Sequence, residues 1–166
     1  MKRTILAFLL LVSLLISCDP GFSQDYVFQN DSSHNVTIVA LMDTADMYFV
    51  MPIDSIRHRY FLNPDGITIP AGEKVTLYED GGLGRAGKEN TGDVLRNFIY
   101  SDSVRFVFDD GHYLYFSYDT AAMHSPYDDD SYTFKGEFHR FGSEGTSTYV
   151  LTDADYERAV KTEISE

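Results

Sequence analysis

Cysteine is nearly absent: Cys18 is the only one in the chain. A lone thiol closes no intrachain disulfide and builds no thiolate zinc site, so the fold stands on an apolar core. Basic residues are also scarce, 13 against 26 acidic ones, for a formal charge of −13 over 166 residues. Phosphate backbones and anionic headgroups are recognised by clustered Lys and Arg, and this deficit excludes nucleic acid as a partner. Tryptophan is missing altogether, which removes the largest side chain for stacking on sugar rings. The chain shows no internal repeat, no low-complexity tract and no long amphipathic helix, and its length suits one domain.

The one long apolar run is Ile5 to Ile16, broken only by Ser13 and preceded by Lys2 and Arg3. Its twelve residues match the apolar region of an export signal and fall short of the roughly 20 needed to span a bilayer. The run ends in Leu15-Ile16-Ser17-Cys18, which resembles a bacterial lipobox. That resemblance implies removal of residues 1–17 as a lipoprotein signal peptide and attachment of diacylglycerol, with a further acyl chain such as palmitate, at Cys18. Ordinary secretory cleavage after Ser23 is the alternative, and it would discard Cys18. Loss of Lys2 and Arg3 leaves 11 basic residues against 26 acidic ones, about −15, so lipid and not charge would hold the body to a membrane. Residues 18–25 are expected to be the lipidated cysteine and a polar tether, and 26–166 a single β-rich domain.

Past residue 25, short segments rich in β-branched and aromatic residues alternate with Gly, Pro, Asn and Asp clusters. Strands are predicted over 26–29, 36–41, 48–51, 59–62, 66–69, 75–78, 104–108, 112–118, 132–141 and 147–151. Asp110-Gly111 suits a two-residue type I′ turn, which would set Phe108 opposite Tyr113 and Phe106 opposite Tyr115. Both faces of that hairpin are apolar, predicting central strands covered on two sides. In the 132–141 strand, Tyr132, Phe134 and Phe138 are expected to face the core, with Gly136 marking a bulge. Short helices are predicted from Asn90, with Val94, Leu95, Phe98 and Ile99 on one face, and from a capping-box-like Thr152-Asp153-Ala154-Asp155. The fold class expected is mainly β: an antiparallel β-sandwich or partly closed barrel with one or two short helices.

A lipobox followed by Asp19, a hairpin running from Asp102-Ser103-Val104 through Asp109-Asp110-Gly111, and a last strand entering Thr152-Asp153-Ala154-Asp155-Tyr156 together resemble small Bacteroidota lipoproteins of unknown function. The resemblance implies a lipid-anchored, mostly-β protein of the cell envelope, at the outer membrane on its periplasmic face or at the cell surface. It carries over no catalytic residue.

Candidate chemistry is sparse. Gly82-Leu83-Gly84-Arg85-Ala86-Gly87-Lys88-Glu89 has P-loop spacing, but Glu89 replaces the hydroxyl that would ligate magnesium, so a flexible glycine-rich loop is expected. The histidines at 34, 58, 112, 124 and 139 have no paired spacing and fall in different predicted elements. No Gly-x-Ser-x-Gly elbow exists, and no cofactor, catalytic or metal-ligating set is assigned. Asp128, Asp129 and Asp130 are a weak calcium candidate without EF-hand spacing, and a solvated loop is the simpler reading. Asp43-Thr44-Ala45, Asp54-Ser55-Ile56, Asp102-Ser103-Val104 and Asp119-Thr120-Ala121 resemble the Bacteroidota O-glycosylation sequon, making Thr44, Ser55, Ser103 and Thr120 candidate acceptors. The function expected is non-enzymatic binding to an envelope protein or glycan. The alternative is a glycan or small-ligand module of an uptake system.

Overall fold

The computed structural model describes residues 21–41, 66–88, 91–93, 95, 102–120, 122–140 and 142–161. The signal segment, Cys18, Thr44, Ser55, the strands predicted over 48–51 and 59–62, and most of the helix predicted from Asn90 lie outside the described residues. Among the described residues nine strands run in chain order: β1 Gly21–Asn30, β2 Val36–Leu41, β3 Ile67–Ile69, β4 Lys74–Leu83, β5 Ser103–Phe108, β6 His112–Ser117, β7 Tyr132–His139, β8 Gly142–Leu151 and β9 Val160–Lys161. A short helix of six residues, α1 Asp153–Arg158, separates β8 from β9. The strands form two sheets, β4-β1-β8-β7 and β3-β2-β5-β6-β9, neither of which closes on itself. The protein is therefore mainly β and sandwich-like. Among the described residues no helix is long and apolar enough to cross a membrane.

Aromatic side chains fill the space between the sheets. Phe28 and Tyr149 stack with centroids 5.0 Å apart, and Phe106 meets both edge-on at 6.0 and 5.8 Å. Val36, Ile38, Ile69, Leu77, Leu95, Val104, Phe108, Leu114, Phe116, Tyr132 and Leu151 complete the core among the described residues. Two tyrosine hydroxyls in this core are satisfied by the 122–128 loop: Tyr132 donates to the Pro126 carbonyl at 2.7 Å and Tyr149 to the His124 carbonyl at 2.6 Å. Burial pushes both hydroxyls well above their ordinary titration range, so they remain donors.

All pairings are antiparallel except that of β1 with β8, which run parallel in unbroken register from Gly21↔Gly142 to Asn30↔Leu151. That pairing corrects the expected tether. Residues 21–25 already belong to β1, because Gln24 is buried and makes three hydrogen bonds: to the Ser147 hydroxyl at 3.0 Å, to the Gly87 carbonyl at 2.9 Å and from the Gly87 N–H at 2.9 Å. The glycine-rich segment after β4 is likewise not a free loop. Ala86 donates its N–H to the Ser143 hydroxyl at 2.8 Å, so Ala86 and Gly87 line the inner face of the first sheet. The Ala86 and Gly87 amides are turned to protein acceptors, not towards a phosphate.

The β5–β6 register is shifted by one from the two-residue turn. Val107 pairs with Tyr113, Phe106 with Leu114 and Arg105 with Tyr115. Asp109, Asp110 and Gly111 form a three-residue loop in which Gly111 takes a φ of 86° and donates to the Phe108 carbonyl at 2.9 Å. Only one face of the hairpin is buried: Val104, Phe106, Phe108, Leu114 and Phe116 point inward, whereas Arg105 is exposed and Tyr115 is 54% exposed. The cation of Arg105 lies 5.0 Å above the Tyr113 ring on that outer face.

In β7 the register is regular, so Gly136 is not a bulge, and Phe138 is 63% exposed instead of core. Gly136 pairs with Gly145, and the Phe134 ring lies across both; a Cβ at Gly145 would come within 2.5 Å of that ring and 2.9 Å of the Ala86 methyl. Replacing Gly145 with alanine is expected to destabilise the domain by about 1 to 3 kcal/mol through forced repacking, read as a lower midpoint in urea unfolding.

Candidate functional site

The two ends of the sandwich differ in chemistry. At the end where β1 and β8 finish, Asn30 is fully buried and shapes the following turn: its amide donates to the carbonyls of His34 at 2.8 Å and Ile69 at 2.9 Å, and its oxygen accepts from the Ser32 N–H and hydroxyl. This turn places His34 beside the β5–β6 loop, since Val36 pairs with Phe108. His34 Nδ1 lies 2.9 Å from Asp109 Oδ1, and the Asn35 N–H donates to Asp109 Oδ2 at 3.2 Å. The imidazole stacks on Tyr156 of α1, centroids 4.0 Å apart and planes 19° from parallel. Tyr156 donates its hydroxyl to Asp110 Oδ2 at 2.7 Å, and His112 Nδ1 lies 2.8 Å from the same oxygen. Asp153, also on α1, accepts from the Ser33 N–H and hydroxyl at 2.7 and 2.9 Å.

Two histidines, three aspartates and a tyrosine from three elements thus converge on one end of the fold. Hydrogen bonds from the Tyr156 hydroxyl and the His112 backbone N–H hold the Asp110 carboxyl down to about 2. Those from His34 and the Asn35 N–H lower Asp109, and Asp110 in turn raises Tyr156. Substituting Tyr156 with phenylalanine is expected to move the Asp110 titration from about 2 back towards the ordinary carboxylate range, as read by carboxyl-carbon NMR. The sign follows from the lowered value: the contribution of Asp110 to stability is present above its unfolded value and fades as pH falls through about 2.

Among the described residues, only His34, Asp109 and Asp110 bring three metal-ligating atoms within 4.8 Å of one another. Asp128, Asp129 and Asp130 do not converge. Asp128 caps a 3₁₀ turn by accepting from the Asp130 N–H at 3.0 Å, Asp129 accepts from the Gly92 N–H at 2.6 Å, and Asp130 pairs with Lys88 at 2.9 Å. The Lys88 ammonium lowers the Asp130 carboxyl. The two former candidates, glycine-rich segment and acidic run, are therefore tied to each other.

A second polar cluster braces the 122–128 loop. Asp155, 1% exposed, accepts from the Thr152 N–H at 2.8 Å and hydroxyl at 3.1 Å, pairs with the Arg158 guanidinium, and lies 2.9 Å from His124 Nδ1. His124, at a φ of 55°, stacks on Tyr149 with centroids 4.6 Å apart. Of the described sequon residues, Ser103 is half-buried and donates to the Leu41 carbonyl at 3.3 Å, whereas Thr120 is exposed in the turn after β6. Neither the protein-family models nor the curated proteins contain a match to this chain.

Proposed function

We propose that the protein is exported, lipidated at Cys18 and held in the cell envelope, at the outer membrane on its periplasmic face or at the cell surface. There its β-sandwich binds another envelope protein without catalysing a reaction. One observation carries this reading: β1 begins at Gly21, three residues after Cys18, and runs straight through the domain to the turn that holds His34. Its ten residues span about 30 Å. An anchor at Cys18 would therefore face the His34–Asp109–Asp110–Tyr156 end away from the bilayer, where a partner reaches it.

Crosslinking in intact cells, followed by affinity purification and mass spectrometry, tests the binding role. A single stoichiometric envelope partner crosslinked through residues 31–35, 109–112 or 153–156 is the expected result. Turnover of an envelope substrate by the purified protein would overturn the non-enzymatic reading. A glycan or small-ligand module is the second reading, favoured by the exposed Tyr115 beside Arg105 on the outer face of its sheet. Binding to a glycan panel that disappears on Tyr115→Ala, with no protein partner recovered, would select it.

A further inference from the structure

The end of the sandwich nearest Cys18 has a different composition from the rest of the surface. In the terminal rows of the first sheet, Leu83 lies across from Gly21 and Gly142, and Gly82, Phe22, Ser143 and Phe138 follow in the next row. With glycines as neighbours, Leu83 is 75% exposed, and Phe138 on the opposite edge strand is 63% exposed. These strands are three spacings apart, about 14 Å along the sheet, and because adjacent rows point to opposite faces the two side chains flank the tip on either side. Each is followed two residues later by an exposed arginine, Arg85 after Leu83 and Arg140 after Phe138. An apolar side chain with a guanidinium alongside suits the boundary between acyl chains and headgroups.

We infer that this tip is a membrane-contacting surface: Leu83 and Phe138 enter the bilayer interface to which Cys18 is anchored, and Arg85 and Arg140 lie at headgroup level. The inference rests on the lipid-anchor reading. Only two residues separate Cys18 from Gly21, a reach of about 10 Å at full extension, so a lipidated chain holds these side chains against the bilayer. The body's excess of acidic residues supplies no attraction to anionic lipid, which leaves apolar insertion as the contact and a zwitterionic leaflet as the better surface.

The absence of tryptophan makes the test direct. Leu83→Trp, Phe138→Trp and Met123→Trp are each made in the full lipidated protein and reconstituted into phosphatidylcholine–phosphatidylethanolamine vesicles carrying brominated acyl chains. Met123 is 77% exposed but belongs to the loop held against Tyr149 and Arg158, at the opposite end. The expected result is bromine quenching at 83 and 138 at least about threefold stronger than at 123. Equal quenching at all three positions, or none, overturns the inference. So does a blue shift at 83 or 138 that depends on protein concentration without lipid, which would mark contact between copies. Mass spectrometry of the Cys18 peptide reads the anchor separately: lipid on Cys18 with solvent-exposed tryptophans defeats only the tip, whereas an unmodified Cys18 defeats the anchor and the tip together. If a tryptophan variant misfolds, Leu83→Cys and Phe138→Cys carrying a polarity-sensitive label give the same readout, because lipid blocks the native cysteine.

Discussion

Truncation of Phe28 to alanine should destabilise the domain by about 3 to 5 kcal/mol, the range for removing a fully buried aromatic ring from a packed core. Phe28 is 1% exposed and touches Tyr149, Phe106 and Tyr132, so its loss opens a void that rings from both sheets border. Since domains of this kind are stable by only about 5 to 15 kcal/mol, the variant would sit close to unfolding. Guanidinium unfolding of the purified protein should show a lower midpoint at an unchanged slope. Phe138→Ala is the control. With its ring in water, it should shift stability by no more than about 0.5 kcal/mol.

Asp155→Ala is expected to remove about 3 kcal/mol for a different reason. Its carboxylate is the shared acceptor of Thr152, His124 and Arg158, and deleting it leaves a partly buried guanidinium and a helix start without their partner. Burial opposes ionisation of this carboxyl, but the bonds from His124 and the Thr152 N–H, with the Arg158 cation, outweigh it and hold the group below its ordinary value. A lowered folded-state value means that the folded protein binds fewer protons than the unfolded one below about pH 4. The stabilisation is therefore complete above about pH 4 and is lost as pH falls through the folded-state value. Asp155→Asn should differ from the parent at neutral pH, with the difference narrowing in acid, as followed by unfolding titrations at successive pH values.

The strands were legible because they are short runs of β-branched and aromatic residues bounded by turn residues, and β2, β5 and β6 are found close to where those runs place them. The first half of β1 was hidden because its inward residue there is Gln24, facing Ser143 and Ser147 in a polar inner layer that has no apolar period. The hairpin register turned on whether Asp109 belongs to the strand or to the loop. Composition is neutral on that point, and the bonds from His34 and Asn35 decide it. The same bonds explain why the polar cluster was missed: His34 and Asp109 are distant in sequence and meet only through the β2–β5 pairing. Asp109-Asp110-Gly111-His112 was the one local hint, a turn carrying two carboxylates and an imidazole. The parallel partnership of β1 and β8 had no local signal at all.

That partnership also sets the order in which the chain can fold. β1 is the first of the described strands to emerge in any N-terminal-first process, yet one neighbour, β8, begins at Gly142. Pairing them closes a loop of over a hundred residues, an entropic cost that only nearly complete contacts in the final sheet repay. Before β8 is available the chain can pair β3-β2-β5-β6, but β1 has only the antiparallel β1–β4 ribbon, a two-stranded piece that is marginal by itself in water. Completion of the first sheet must therefore wait until about the last fifth of the chain is available. Such late closure leaves the edge of β1 that β8 will cover as the segment most in need of shielding until β8 arrives.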